Sequence, residues 1–185
     1  MKKRFEVELS ERPKIALIGH SGSGKSTLAS FLSEKYAVPL LHIDVIHFLP
    51  GWVEREREEE LALMRAFLDE NDENGWVIDG NYLKLEHERR MEEAELIIYF
   101  NFNRWNCWLR AFRRSVRYKN KVRDSIAPGC PEKFDRDFQR WILHSGRTKA
   151  KLERYSALVE RYEKKSIVLK NQRDIDHFKA SLERR

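Results

Sequence analysis

The sequence predicts an α/β domain, a parallel sheet with helices on both faces. Three observations predict it. Short apolar runs alternate with helical patterns along the chain, the first run opens into a glycine-rich loop, and two later runs end in aspartate. With 185 residues, 41% of them hydrophobic, the chain suits one such domain with a sizeable core.

Residues 1–13 read as an N-terminal extension. Phe5, Val7 and Leu9 alternate there and are expected either to add an edge strand or to remain unordered. Residues 15–18 (I-A-L-I) are a short buried strand. Residues 19–27, G-H-S-G-S-G-K-S-T, then fit the phosphate-loop pattern G-x-x-x-x-G-K-[ST]. Gly19, Gly22 and Gly24 let the backbone curl so that successive N–H groups converge on one small volume. His20, Ser21 and Ser23 fill the variable positions. Lys25 brings a charge to the terminal phosphates, Ser26 offers a hydroxyl to Mg2+, and Thr27 continues into a helix over about 25–36 whose dipole favours anions. Leu28, Phe31 and Leu32 give that helix its apolar spacing. Residues 19–27 are therefore the expected site of a nucleoside triphosphate.

Residues 39–43 read as a second strand ending at Asp44. Pro50-Gly51 breaks the chain before a helix carrying Leu61, Met64, Phe67 and Leu68. Residues 71–75 are a turn cluster, and residues 76–78 a third strand ending at Asp79-Gly80. A helix over about 83–93 leads to a fourth strand at 96–100. In the next helix, about 104–118, Trp105, Trp108, Leu109, Phe112 and Val116 form an apolar stripe. Arg110, Arg113, Arg114 and Arg117 form a second stripe roughly 130° away around the axis, so one face should pack on the sheet and the other present guanidinium groups. Residues 119–132 show no periodicity. A long helical pattern through 138–162, interrupted near Ser145-Gly146, precedes a fifth strand at 166–169 and a terminal helix with Ile175, Phe178 and Leu182.

Asp44 and Asp79 should both reach the carboxyl edge of the sheet, where open α/β sheets bind ligands. Asp79 suits support of Mg2+ together with Ser26. Asp44 suits the acceptor side, orienting or deprotonating a hydroxyl. Residues 101–123 hold eight basic side chains and no acid. Arginine forks stabilise a phosphoryl-transfer transition state, so Arg104, Arg110, Arg113, Arg114, Arg123 and Arg147 are candidates for that task. The same block could instead track a nucleic-acid backbone or form a solvated helix face. His42, His47 and His144 read as isolated, satisfied or exposed histidines. Trp76, Trp105, Trp108 and Trp141 read as packing residues. Trp52 also reads so, or as a pocket wall beside Asp44 and Tyr82.

The net charge of +6 favours anionic ligands. No apolar run of about 18 residues is available to cross a membrane, and no signal-peptide stretch precedes the first strand. Cys107 and Cys130 have no metal-ligand spacing. A cytoplasmic protein is expected.

Several segments together resemble one family. Residues 19–27, His42-Ile43-Asp44, Pro50-Gly51-Trp52-Val53, Val77-Ile78-Asp79-Gly80-Asn81-Tyr82 and Gly129-Cys130-Pro131-Glu132-Lys133-Phe134 are similar to the bacterial topology modulation proteins, which are adenylate-kinase-related P-loop proteins. The resemblance covers about residues 14–182. It implies the three-layer P-loop NTPase fold of nucleoside/nucleotide-kinase type, a five-stranded parallel sheet over residues 14–185 with an arginine-bearing lid at about 119–134. It also implies ATP as the nucleotide and Mg2+ as the cation. The expectation is an ATP-dependent phosphotransferase acting on a small-molecule phosphate acceptor. The alternatives are a nucleotide-binding regulatory protein that contacts DNA through its basic helix face, and an ATPase switch.

Overall fold

A computed structural model describes residues 5, 7–119 and 121–183. In chain order the elements are β1 (Lys14–Gly19), α1 (Lys25–Tyr36), β2 (Leu40–His42), α2 (Ile43–His47), β3 (Phe48–Leu49), β4 (Val53–Glu54) and α3 (Arg57–Glu70). They continue as β5 (Trp76–Asp79), α4 (His87–Glu93), β6 (Leu96–Phe100), α5 (Arg104–Arg117), α6 (Arg136–Leu143), α7 (Lys149–Arg161), β7 (Ser166–Leu169) and α8 (Gln172–Glu183).

Five strands pair in parallel in the order β2-β5-β1-β6-β7, as the sequence predicts. β1 is central, with β5 on one side and β6 on the other, so the crevice where strand order reverses opens at its carboxyl end. Strand residues alternate between two cores. Ile15, Leu17, Val77, Ile98 and Phe100 face a layer made by α1, α5 and α8. Ala16, Ile18, Ile78, Ile97 and Tyr99 face residues of α2, α3, α4 and α7. Burial on both faces explains why these runs read as continuously apolar rather than alternating.

Four expectations are corrected. No strand forms among residues 5 and 7–13. Phe5 instead packs its ring 6.4 Å from that of Phe178 on α8, and Val7 and Leu9 lie against the same core; residues 1–4 and 6 lie outside the described set. The second strand stops at His42, so Asp44 sits in the first turn of α2 rather than on a strand end. The helix expected over 83–93 starts only at His87, after a turn. The apolar stripe of α5 does not pack on the sheet: Trp105 and Val116 are each 63% exposed, and Leu109 and Phe112 are also exposed. The inward face carries Cys107 and Ala111, because the phosphate loop passes so close to α5 that only small side chains fit between them.

The segment between α5 and α6, where a lid is expected, has no regular secondary structure among its described residues. It is held in its middle and at its carboxyl end. Phe134 packs on Trp108 and Phe112 at ring distances of 5.5 and 5.6 Å. Ile126, Ala127 and Cys130 bury against Phe48 and Trp52 of the β3–β4 hairpin.

Candidate functional site

The phosphate loop follows from strain that only glycine tolerates. Gly22 and Gly24 adopt φ of +77° and +101°, in the left-handed region. Gly24 caps α1 without a side-chain hydrogen bond, so the first-turn N–H groups stay available to an anion. Lys25 Nζ donates to the carbonyl of His20 at 3.0 Å, and Ser23 Oγ donates to the same oxygen at 2.6 Å.

Gly19, His20, Ser21, Gly22, Gly24, Lys25, Ser26 and Thr27 all line one cleft of about 1570 Å3, together with Asp44, Asp79, Arg110, Arg114, Arg123 and Arg147. Ser23 does not line it and is fully buried. Nor does Arg104, whose Nη1 donates to the carbonyl of Leu143 at the end of α6. The His20 ring is edge-on to those of Tyr99 and Tyr155, at 6.2 and 5.7 Å. Burial, then the charges of Arg147 and Lys25, push its pKa down to about 3, so it is neutral at ordinary pH.

Ser26 Oγ donates to Asp79 Oδ2 at 2.6 Å, joining the two residues expected from the sequence to support a cation. His42 Nδ1 lies 3.1 Å from the same oxygen. Burial alone would raise the Asp79 pKa, but the His42 hydrogen bond, the Lys25 charge and the Ser26 hydroxyl outweigh it and hold the carboxyl below its usual value. Asp79 Oδ1 is buried with no hydrogen-bond partner.

Asp44 behaves oppositely. Burial raises its pKa, and the charge of Asp79 adds to the rise, against a 2.6 Å hydrogen bond donated by Tyr82 Oη. Two carboxylates on one cleft therefore have pKa values driven apart, the condition under which one stays ionised while the other exchanges a proton.

The arginines fall into two sets. Arg114 and Arg123 both bind Glu132 of the lid: Arg114 Nε reaches Oε1 at 2.8 Å and Arg123 Nε reaches Oε2 at 2.6 Å, and the Glu132 side chain is 2% exposed. Arg110 and Arg147 flank the phosphate loop. Arg110 Nη1 donates to Gln172 at 2.9 Å, and Arg147 donates to the Phe102 carbonyl at 2.8 Å and to Cys107 Sγ at 3.1 Å. All four arginines of the predicted stripe line the cleft, Arg110 and Arg114 half-buried and Arg113 and Arg117 exposed.

Three contributors escaped sequence reasoning. His42 is not isolated but orients Asp79. Asn81 pairs with both backbone groups of Gly19, its Oδ1 accepting from Gly19 N and its Nδ2 donating to Gly19 O, each at 2.6 Å. Arg90 is fully buried and donates to the carbonyls of Leu85, Gly80 and Tyr82, which fixes the turn carrying Asn81 and Tyr82. The D-G-N-Y segment marked the place of Asn81, but no sequence pattern marked Arg90.

The parallel sheet with a glycine-rich loop between its central strand and α1, opening on a cleft with Lys25, Ser26 and Asp79, defines a P-loop nucleotide-binding α/β domain. The family described as ABC transporter matches residues 3–158, and the chain belongs to this family of P-loop ATP-binding NTPases. The match spans the phosphate loop, both aspartates and the arginine block. No curated protein matches the chain. Among the described residues no helix is long and apolar enough to cross a membrane.

Proposed function

We propose that the protein is a Mg2+-dependent phosphotransferase that moves the γ-phosphoryl group of ATP to a hydroxyl of a small molecule. The observation that carries this reading is Asp44. Nucleotide binding alone has no use for a second carboxylate, half-buried, held by Tyr82 and raised in pKa, on the wall of the same cleft as the phosphate loop. The segments D-G-N-Y and P-G-C-P-E-K-F, by which the chain resembles the adenylate-kinase-related topology modulation proteins, supply Tyr82 and Glu132 and support the same reading.

The residues fit a hard cation. Asp79 Oδ1 is buried without a partner, and the Ser26 hydroxyl stands beside Oδ2 of the same carboxylate. Mg2+ held by Ser26 and Asp79 would neutralise charge on the β- and γ-phosphate oxygens. The loop amides and Lys25 bind and orient the triphosphate. Asp44 receives the acceptor hydroxyl proton as the oxygen–phosphorus bond forms, while the bond to the β-bridging oxygen breaks and ADP departs. Arg110 and Arg147, pinned beside the loop, stabilise charge on the transferring group.

Membership in the ABC transporter family favours a second reading, ATP hydrolysis without an acceptor. One experiment separates the two: ATP turnover with Mg2+, measured alone and against a panel of nucleosides, nucleotides and small hydroxyl compounds. Acceptor-dependent turnover well above basal hydrolysis supports the phosphotransferase. Silence across the panel with ATP still bound overturns it. Lys25→Ala should abolish turnover in a folded protein under either reading.

A further inference from the structure

The acceptor end of the cleft has a charge pattern that bears on what it can receive, provided the phosphotransferase reading holds. Tyr82, the hydroxyl donor to Asp44, lies within the field of two further carboxylates, Glu60 and Glu54. His47 stands 2.7 Å from Glu60 and 3.9 Å from Glu54, with its ring 4.5 Å from that of Tyr82. Rings cover the same wall: Phe48 and Trp52 meet edge to face at 5.2 Å and line the cleft with Tyr82. The lid that closes against this wall brings its indole contact through the Pro131 carbonyl, which accepts from Trp52 Nε1 at 3.1 Å.

Two guanidinium groups whose charges act on Asp44 are already engaged. Arg114 and Arg123 share Glu132, and Lys133 lies over the Trp52 ring at 4.9 Å. Glu132 therefore supplies, from the protein's own chain, the anion that a pair of arginines would otherwise take from a substrate. A phosphate monoester arriving beside Asp44, Glu54 and Glu60 would meet like charge and find both guanidinium groups occupied. Like charge set against like charge is how a site rejects a wrong partner.

We propose that the acceptor is a ring-bearing alcohol with no phosphate of its own, lying against Phe48, Trp52 and Tyr82 with its hydroxyl at Asp44. Its oxygen attacks the γ-phosphorus, its proton passes to Asp44, and the products are ADP and the new phosphate monoester. A nucleoside monophosphate is disfavoured as acceptor by the same groups.

Matched pairs test this. Transfer from γ-labelled ATP with Mg2+ is followed to adenosine, guanosine, cytidine, uridine and glucose, each beside its own monophosphate ester. The expected result is at least one pair in which the alcohol exceeds its ester by about tenfold or more in kcat/KM. Glu132→Gln, which removes the negative charge the two arginines share, and Glu54→Gln, which removes a repulsive charge at an exposed position, should each narrow that ratio by raising the rate with the ester. Preference for the esters, or a ratio unmoved in both variants, overturns the acceptor class and leaves the phosphotransferase standing. Silence toward both members of every pair, with ATP still bound, overturns the acceptor class and the phosphotransferase together.

Discussion

Gly22 of the phosphate loop rests directly on the backbone of Cys107 in α5, so that a methyl group at Gly22 would strike the Cys107 carbonyl oxygen. The contact fixes where the loop sits and explains why α5 turns Cys107 and Ala111 inward. Gly22→Ala therefore meets two obstacles, a backbone φ of +77° and a rigid carbonyl. The left-handed conformation alone costs roughly 1–2 kcal/mol for a residue with a Cβ. A lower Tm and at least a tenfold weaker ATP affinity, the latter about 1.4 kcal/mol, are expected by thermal melting and titration of a fluorescent ATP analogue.

The same contact inverts the usual expectation for α5. Trp105→Ser and Val116→Ser remove large apolar side chains, yet both are 63% exposed, so each should change stability by no more than about 0.5 kcal/mol. Ala111→Leu adds bulk where the helix meets the loop and should cost about 1–3 kcal/mol through overpacking. Denaturant unfolding of the three variants ranks them, and a large loss at Trp105 would contradict the observed burial.

Strand runs were legible because burial on both faces leaves an unbroken apolar signal, as in residues 96–100. The loop at 19–27 was legible because its geometry demands glycine at fixed spacing. The orientation of α5 was not, since a periodic stripe reports which residues share a face and not which face meets the core. There the close approach of Gly22, a backbone fact, outweighed the hydrophobic pattern. The task of Asn81, though not its place, and the whole part of Arg90 were invisible for a related reason: they bind main-chain groups of Gly19, Gly80, Tyr82 and Leu85, and such partners leave no residue pattern. His42 looked isolated because its partner, Asp79, comes from a strand 37 residues away in the chain.

His20 gives the fold an acid sensitivity. Its folded pKa, about 3, lies below the ordinary value of 6.5, so the unfolded chain binds a proton first as pH falls. Stability from this group is intact above pH 6.5 and falls below it, with a slope of at most about 1.4 kcal/mol per pH unit down to its folded pKa. His87, lowered to about 4 by burial and the charges of Arg90 and Arg154, acts in the same direction. His20→Gln should flatten the decline between pH 6.5 and 4.5 measured by urea unfolding. An unchanged slope would mean that the ring is not buried neutral.

Asp44 should trade stability against activity. Its folded pKa is raised above the ordinary 3.8, chiefly by burial, so its contribution is fully present below that value and lost as pH climbs through the folded pKa. Losing the proton from this carboxyl is a burden on the fold, and Asp44→Asn, which still accepts from Tyr82, should raise the Tm at pH 7. The gain should vanish near pH 3, where both folded and unfolded chains carry a protonated Asp44. Acceptor-dependent turnover should meanwhile fall by about 10²–10⁴-fold, the usual consequence of removing a general base. In the unsubstituted protein the acid limb of kcat/KM should sit above pH 3.8, because transfer needs the deprotonated form, and the substitution should erase that limb. Full activity in Asp44→Asn would remove Asp44 from the chemistry and leave its raised pKa without a catalytic reason.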